Sequence, residues 1–223
     1  ALGIIKADAY GPGMAETARS LSEADAFGVA RLGEALALRY ASIAHRIVLV
    51  EGAGCAEQVA AAAQLRLDLV VHSFEQIAML EQARADARFD VWLKIDTGMN
   101  RLGFRTEEFP AALRRLQACA ATRSLQLMTH LALAEDCNGA MTQQQIREFH
   151  ALSASLPYPR SIANSAGIID RPDAHLDWVR PGLMLYGMSP LGERSSSELG
   201  LKPAMTLSAP LIAIRAVKAG ESV

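Results

Sequence analysis

Eight short apolar runs punctuate the chain, at Leu2–Lys6, Phe27–Ala30, Ile47–Val50, Leu67–Val71, Val91–Ile95, Leu125–His130, Ser161–Ala163 and Trp178–Arg180. Most are nearly continuous rather than alternating, which predicts parallel strands covered on both faces. Between them apolar residues recur at helical spacing. Leu32, Leu36, Tyr40 and Ile43 share one face, and Phe109, Leu113, Leu116 and Ala120 another. Phe74, Ile77 and Leu80 make a third stripe, and Ile146, Phe149 and Leu152 a fourth. Each stripe predicts a helix laid apolar side down on a sheet. Strands alternating with helices in this number predict an α/β fold, a (β/α)8 TIM-type barrel over residues 1–190, with an open doubly wound sheet as the alternative.

The polar residues that end these runs favour the barrel. Lys6, Arg31, Glu51, His72, Lys94 with Asp96, His130, Asn164 and Arg180 all stand where a strand stops. A barrel gathers such ends onto one rim, whereas an open sheet spreads them along a crevice. The periodicity stops near Pro190. Residues 191–203 (LGERSSSELGLKP) read as a linker, and 204–223 as the start of a C-terminal β domain, strand-like from Met205 to Ile214 with a turn at Ala219–Gly220. Twenty residues cannot bury a core of their own. With no initiating Met, the chain is expected to begin inside a larger polypeptide.

Composition narrows the partners more than the fold. Half the residues are hydrophobic (51%) and 21% are charged, which excludes disorder as the main state. A net charge of −2 gives no electrostatic reason to expect nucleic acid or an anionic membrane. No uncharged apolar stretch is long enough for a membrane-spanning helix. Cys55, Cys119 and Cys137 are far apart and odd in number, so neither a disulfide framework nor a zinc site is expected, and a cytoplasmic location is.

The sharpest chemical signal is Lys6-Ala-Asp-Ala-Tyr10-Gly-Pro-Gly13. A lysine at the end of a buried strand loses hydration, and the neutral amine that burial favours is a nucleophile for carbonyl groups. Read on its own, Lys6 is more readily a side chain that reaches to the rim for water.

This stretch resembles the pyridoxal phosphate signature of the alanine racemase family. Four further blocks, in order, resemble it too: Trp92–Gly103 (WLKIDTGMNRLG), Met128–His130, Ile162–Ala166 (IANSA) and Trp178–Gly187 (WVRPGLMLYG). Together they cover the chain from Leu2 to Pro190, and the final KAGESV resembles the junction before that family's C-terminal β domain. The resemblance implies a pyridoxal phosphate-dependent isomerase that interconverts L- and D-alanine, for cell-wall D-alanine supply or for alanine catabolism, as a homodimer.

By that resemblance Lys6 holds the cofactor covalently and then serves as base on one face of the substrate. Tyr10, Asn164, Ser165, Gly182 and Leu183 would bind the cofactor, the latter three and Tyr10 around its phosphate. Arg180 would face the pyridine nitrogen with His130 fixing it, and Arg101 would meet the cofactor phenolate and the substrate carboxylate. Lys94 would be a carbamylated lysine beside Arg101, although an unmodified lysine in an ion pair fits the sequence equally.

Two positions depart from the pattern: Pro12 stands where the family usually has His, and Leu131 where it has Phe. The family's second base, a tyrosine of the C-terminal domain supplied across the dimer interface, has no counterpart, since Tyr40, Tyr158 and Tyr186 lie outside that motif. This chain alone is therefore expected to be inactive. Two alternatives remain at this point. One is a single-domain barrel that carries pyridoxal phosphate for homeostasis without racemising anything. The other is a barrel enzyme with a Schiff-base lysine and no cofactor.

Overall fold

The computed structural model describes residues 1–136 and 139–222, so Cys137 lies outside the described residues. Seven strands, β1 (Leu2–Ile4), β2 (Ala26–Val29), β3 (Arg46–Leu49), β4 (Leu67–Val71), β5 (Phe89–Lys94), β6 (Thr122–Met128) and β7 (Arg160–Ser161), form one sheet in chain order. Every neighbouring pair is parallel. A helix follows each strand: α1 (Met14–Ser20), α2 (Leu32–Tyr40), α3 (Ala56–Gln64), α4 (Phe74–Glu81), α5 (Phe109–Ala118), α6 (Ala140–Ser153) and α7 (Ser165–Asp170). No described helix is long and apolar enough to cross a membrane.

The strands bury both faces, which accounts for their continuous apolar runs. One face points inward, where Leu2, Ala26, Val48, Val70, Trp92 and Met128 pack together. The alternate residues, such as Phe27, Ile47, Leu69, Val91 and Leu93, join a larger outer core with the helices. On α5 the buried face is Phe109, Ala112, Leu113 and Leu116, which includes three of the four predicted positions, while Ala120 lies exposed beyond the helix end. On α2 it is Ala35 and Leu38, while Leu36 and Tyr40 are exposed. Leu32 and Ile43 of the predicted stripe do reach the core, and its two middle positions do not; the small Ala35 lets α2 sit close to the sheet.

The eighth apolar run forms no strand in its own right, yet residues 178–181 lie between the sheet's two outer strands. Trp178 N–H donates to Arg160 O (3.1 Å) and Arg180 N–H to Ala163 O (2.9 Å), on the β7 side. Val179 O and Pro181 O accept from Leu2 N–H and Ile4 N–H, both at 2.9 Å, on the β1 side. Pro181 has no N–H, which ends the ladder at that point.

At the floor of this ring, the end where strands begin, charges are paired. Asp68 accepts from Arg46 Nε (2.8 Å) and from the Trp92 indole (3.0 Å). Arg123 grips Asp90 with two bonds of 2.9 and 2.7 Å, and Ser124 donates to Asp90 at 2.6 Å. The Arg46 guanidinium also stacks 5.6 Å from the Trp178 ring centre. Burial raises the Asp68 carboxyl pKa, against the lowering effect of Arg46 and Trp92.

The tail differs from the expectation. Residues 205–214 form no strand, and Leu207, Leu211, Ile212 and Ile214 are almost fully exposed. A strand needs a partner ladder for its N–H and C=O groups, and nothing in the described chain offers one. The 191–203 segment lies on the body of the fold: Leu191 is buried in the core and Leu199 packs against it. At Gly187 (φ +79) a Cβ would stand 1.9 Å from Lys202 O, so only glycine lets the chain return there.

Candidate active site

Lys6 does not continue β1. It opens a turn in which Ala7, Asp8, Ala9 and Tyr10 all have φ between 51 and 57°. Four consecutive non-glycine residues in the left-handed region cost about 1–2 kcal/mol each, so neighbouring groups must hold them. Tyr10 N–H donates to Ala7 O (2.9 Å) and Gly13 N–H to Asp8 O (3.1 Å). Asp8 Oδ1 accepts from Met14 N–H at 2.8 Å, tying the turn to the start of α1. Glu34 Oε1 accepts from Ala7 N–H, also at 2.8 Å. Pro12 sits between Gly11 (φ +123) and Gly13 (φ +99), the two residues that let the chain leave the turn.

Arg180 is buried at the rim, only 4% exposed. Its guanidinium donates to Ser161 Oγ (2.5 Å), Thr129 O (2.6 Å), Ile162 O (3.1 Å) and His130 Nδ1 (3.3 Å). Burial pushes its pKa down to about 10, which leaves it charged at neutral pH. Burial, with repulsion from Arg180, Lys94, Arg101 and Lys6, pushes His130 down to about 3. His130 is therefore a neutral imidazole, and its acceptance at Nδ1 places its proton on Nε2.

Lys94 ends β5 and is buried; desolvation, then Arg180 and Arg101, bring its pKa down to about 8. Beyond it the chain makes a tight excursion and returns. Phe104 N–H donates to Lys94 O (2.9 Å) and Asp96 N–H to Phe104 O (2.8 Å). Asp96 Oδ1 caps the excursion by accepting from Gly98 N–H (2.9 Å) and Asn100 N–H (3.1 Å). At Gly103 (φ +135) a Cβ would lie 2.6 Å from Asp96 N. The DTGMNRLG pattern thus builds a loop that carries Arg101 to the cleft, with Asp96 spent on the loop itself.

On the opposite wall Ser165 Oγ accepts from Gly182 N–H (2.9 Å) and Met184 N–H (3.3 Å). Asn164 caps α7 by accepting from Gly167 N–H at 3.0 Å. A Cβ on Gly182 would come into contact with Ile4 Cβ (3.6 Å) and Tyr10 Oη (3.8 Å), so the absence of a side chain leaves that corner open. The Tyr10 ring packs 5.1 Å from that of Tyr186, whose hydroxyl donates to Ile4 O at 2.8 Å. Burial raises the pKa of both tyrosines.

These residues line one cleft of about 540 Å³: Lys6, Tyr10, Lys94, Arg101, His130, Asn164, Ser165, Arg180, Gly182 and Leu183, with Glu51 and Glu135. Three other strand-end residues do not reach it. Arg31 is exposed, Asp96 serves its loop, and His72 turns its ring to Glu51 O at 3.0 Å. Among the described residues none of Lys6, Lys94, Arg101 and Arg180 forms a salt bridge. Four cations without a carboxylate partner, beside a corner held open by glycine, suit a compact anion.

Comparison with known proteins agrees with this geometry. Residues 1–190 match the family described as alanine racemase, N-terminal domain. The chain belongs to that family. The alanine racemase of Yersinia pestis is 45% identical over 223 residues, covering 100% of this chain and 62% of that protein. The biosynthetic alanine racemase of Escherichia coli (strain K12) is 44% identical over 224 residues, with the same coverage. The crystal structure of biosynthetic alanine racemase from Pseudomonas aeruginosa superposes with a TM-score of 0.93 at 46% identity, covering 100% of this chain and 62% of that one. The chain therefore has the barrel fold of alanine racemase N-terminal domains and spans about 62% of the length of these relatives.

Several residues that shape this alanine racemase-type cleft escape a motif reading. Thr129 and Ser161 support Arg180 from behind, and neither residue type signals that task. Tyr186 is visible in the LYG block, but its bond to Ile4 O depends on the fold. Glu34 alone carried a local signal: it stands three residues after Arg31, the position from which a glutamate folds back on a helix start.

Proposed function

We propose that this chain is the pyridoxal phosphate-binding part of an alanine racemase, an isomerase that interconverts L- and D-alanine. The observation that carries the reading is the unbalanced cationic cleft around Lys6, with Tyr10 and the open corner at Gly182 on one side and Arg180 on the other. In this reading residues 178–181 are the eighth stave of a (β/α)8 barrel, followed by a linker and the first part of a C-terminal β domain. The protein is proposed to be a cytoplasmic homodimer.

Lys6 would hold the cofactor, with its phosphate toward Tyr10, Ser165, Gly182 and Leu183. The cofactor, once bound, supplies an electron sink that acidifies the substrate α-carbon. Lys6 Nζ then takes or returns the α-proton on one face. Arg180 keeps its protons and donates hydrogen bonds, so a ring nitrogen held against it would stay unprotonated. Neutral His130, bonded through Nδ1, orients Arg180 without adding charge. Arg101 would bind the substrate carboxylate. At neutral pH Lys94, with its pKa near 8, has about one amine in ten uncharged. That form can attack carbon dioxide and release a proton, and the resulting carbamate would offset the cations around it. The proton on the opposite face requires a second acid, a tyrosine expected outside this chain. Without it the chain alone is expected to exchange the α-proton without inverting the centre.

Borohydride reduction of the full-length protein with pyridoxal phosphate, followed by peptide mapping, tests the assignment. Label on the Lys6 peptide is expected. Label on Lys94 alone, or none, overturns it.

A further inference from the structure

The rim is stapled in pairs. Glu34 on α2 accepts at Oε2 from Ala30 N–H (2.7 Å) and Arg31 N–H (3.2 Å) of its own loop, and at Oε1 from Ala7 N–H of the preceding loop (2.8 Å). Gln76 on α4 repeats the device: Oε1 accepts from His72 N–H (2.8 Å) of its own loop, and Nε2 donates to Glu51 O (3.2 Å) and Ala53 O (3.3 Å) of the preceding one. Gln145 on α6 does the same, taking Ala132 N–H (2.9 Å) at Oε1 and donating from Nε2 to His130 O (3.0 Å) and Thr97 Oγ1 (3.4 Å). Each side chain joins the loops after an odd and an even strand.

The partner groups explain why one staple is a carboxylate and two are amides. Gln76 and Gln145 face an N–H on one side and an oxygen on the other, which an amide satisfies. Glu34 faces only N–H groups, so both of its terminal atoms must accept. A glutamine there would turn its NH2 toward a backbone N–H. Glu34 is also the staple whose second partner is next to Lys6, in the turn of four left-handed residues.

We propose that Glu34 is a positioning residue for Lys6: its carboxylate holds the left-handed turn at Ala7 and so sets where the lysine enters the cleft. The consequence for chemistry rests on the reading of Lys6 as the cofactor lysine; the hold on the turn does not.

The experiment uses the full-length protein as wild type, Glu34→Gln and Glu34→Ala. Backbone amide exchange is measured without cofactor, and borohydride trapping on Lys6 with limiting pyridoxal phosphate. Loss of a charge-assisted hydrogen bond at the turn is expected to speed exchange of the 7–13 amides about ten-fold or more in both variants, with β5 and β6 unchanged. Trapping on Lys6 is expected to slow by about as much. Unchanged exchange at 7–13 overturns the proposal, as does faster exchange spread over β5 and β6, or faster exchange at the turn with trapping as in wild type. Loosened 7–13 amides in a protein whose wild type never takes label on Lys6 would leave the hold on the turn standing, and overturn both the positioning of Lys6 for the cofactor and the cofactor reading.

Discussion

The two ends of the strand ring carry similar numbers of charged side chains and use them in opposite ways. At the floor, Arg46 and Arg123 meet Asp68 and Asp90, and the Trp92 indole completes the set. At the rim, Lys6, Lys94, Arg101 and Arg180 converge with no carboxylate bound to any of them among the described residues. Arg180 is the most deeply buried of these four, yet among the described residues its partners are carbonyl oxygens, one hydroxyl and an imidazole. Paired charges stabilise a fold; unpaired ones of one sign store a preference for something outside the chain. The same distinction separates the two ends of barrels generally, where strand C-termini host ligands and N-termini host packing.

That contrast breaks most sharply at single residues. On the proposed reading, Lys6→Ala in the full-length protein should abolish covalent cofactor attachment and racemisation, while thermal unfolding shifts by no more than about 2 °C. Asp68→Ala should do the reverse. It leaves the Trp92 N–H without its acceptor and Arg46 with Asp90 alone, 3.4 Å away, which should cost about 1–3 kcal/mol in denaturant unfolding and leave Lys6 trapping intact.

Titration should sharpen the contrast next. In the cofactor-free protein His130 stays neutral down to about pH 3, against an ordinary value of 6.5. Between those values the unfolded chain binds a proton that the folded one refuses, so stability falls as pH falls through that window. His130→Gln should flatten that part of the pH–stability curve. Lys94 has the same sign at higher pH: stability should rise between about 8 and 10.5, and Lys94→Met should remove the rise. The smallest effect belongs to Tyr10→Phe. Losing one hydroxyl from the open corner should weaken pyridoxal phosphate binding about ten-fold, read by equilibrium titration, with little change in stability.

What could be read from sequence follows from how local each feature is. The α5 stripe of Phe109, Leu113 and Leu116 is written in large residues at one spacing. On α2 the burying residue is Ala35, which carries too little hydrophobicity to outvote Leu36 and Tyr40 next to it. The residues around the cleft were legible as blocks of motif. The left-handed turn was not, because no glycine marks positions 6–10 and its cost is met by Glu34 and Asp8 through the fold. The apolar run at 205–214 has strand composition, but strand composition does not make a strand without a neighbour to pair with.

The hydrogen bonds from Leu2 and Ile4 to residues 179 and 181 tie together segments almost as far apart in the chain as this architecture permits. During synthesis β1 emerges before the other strands of the sheet and must wait for more than 170 further residues before its free edge is matched. Until then Lys6 and Arg180 cannot line one cleft. Such long-range closure is slow, and the waiting edge is open to pairing with other nascent chains. Assembly of the cleft is thus a late event in the life of the polypeptide, and on the proposed reading the uptake of pyridoxal phosphate would report that the ring has closed.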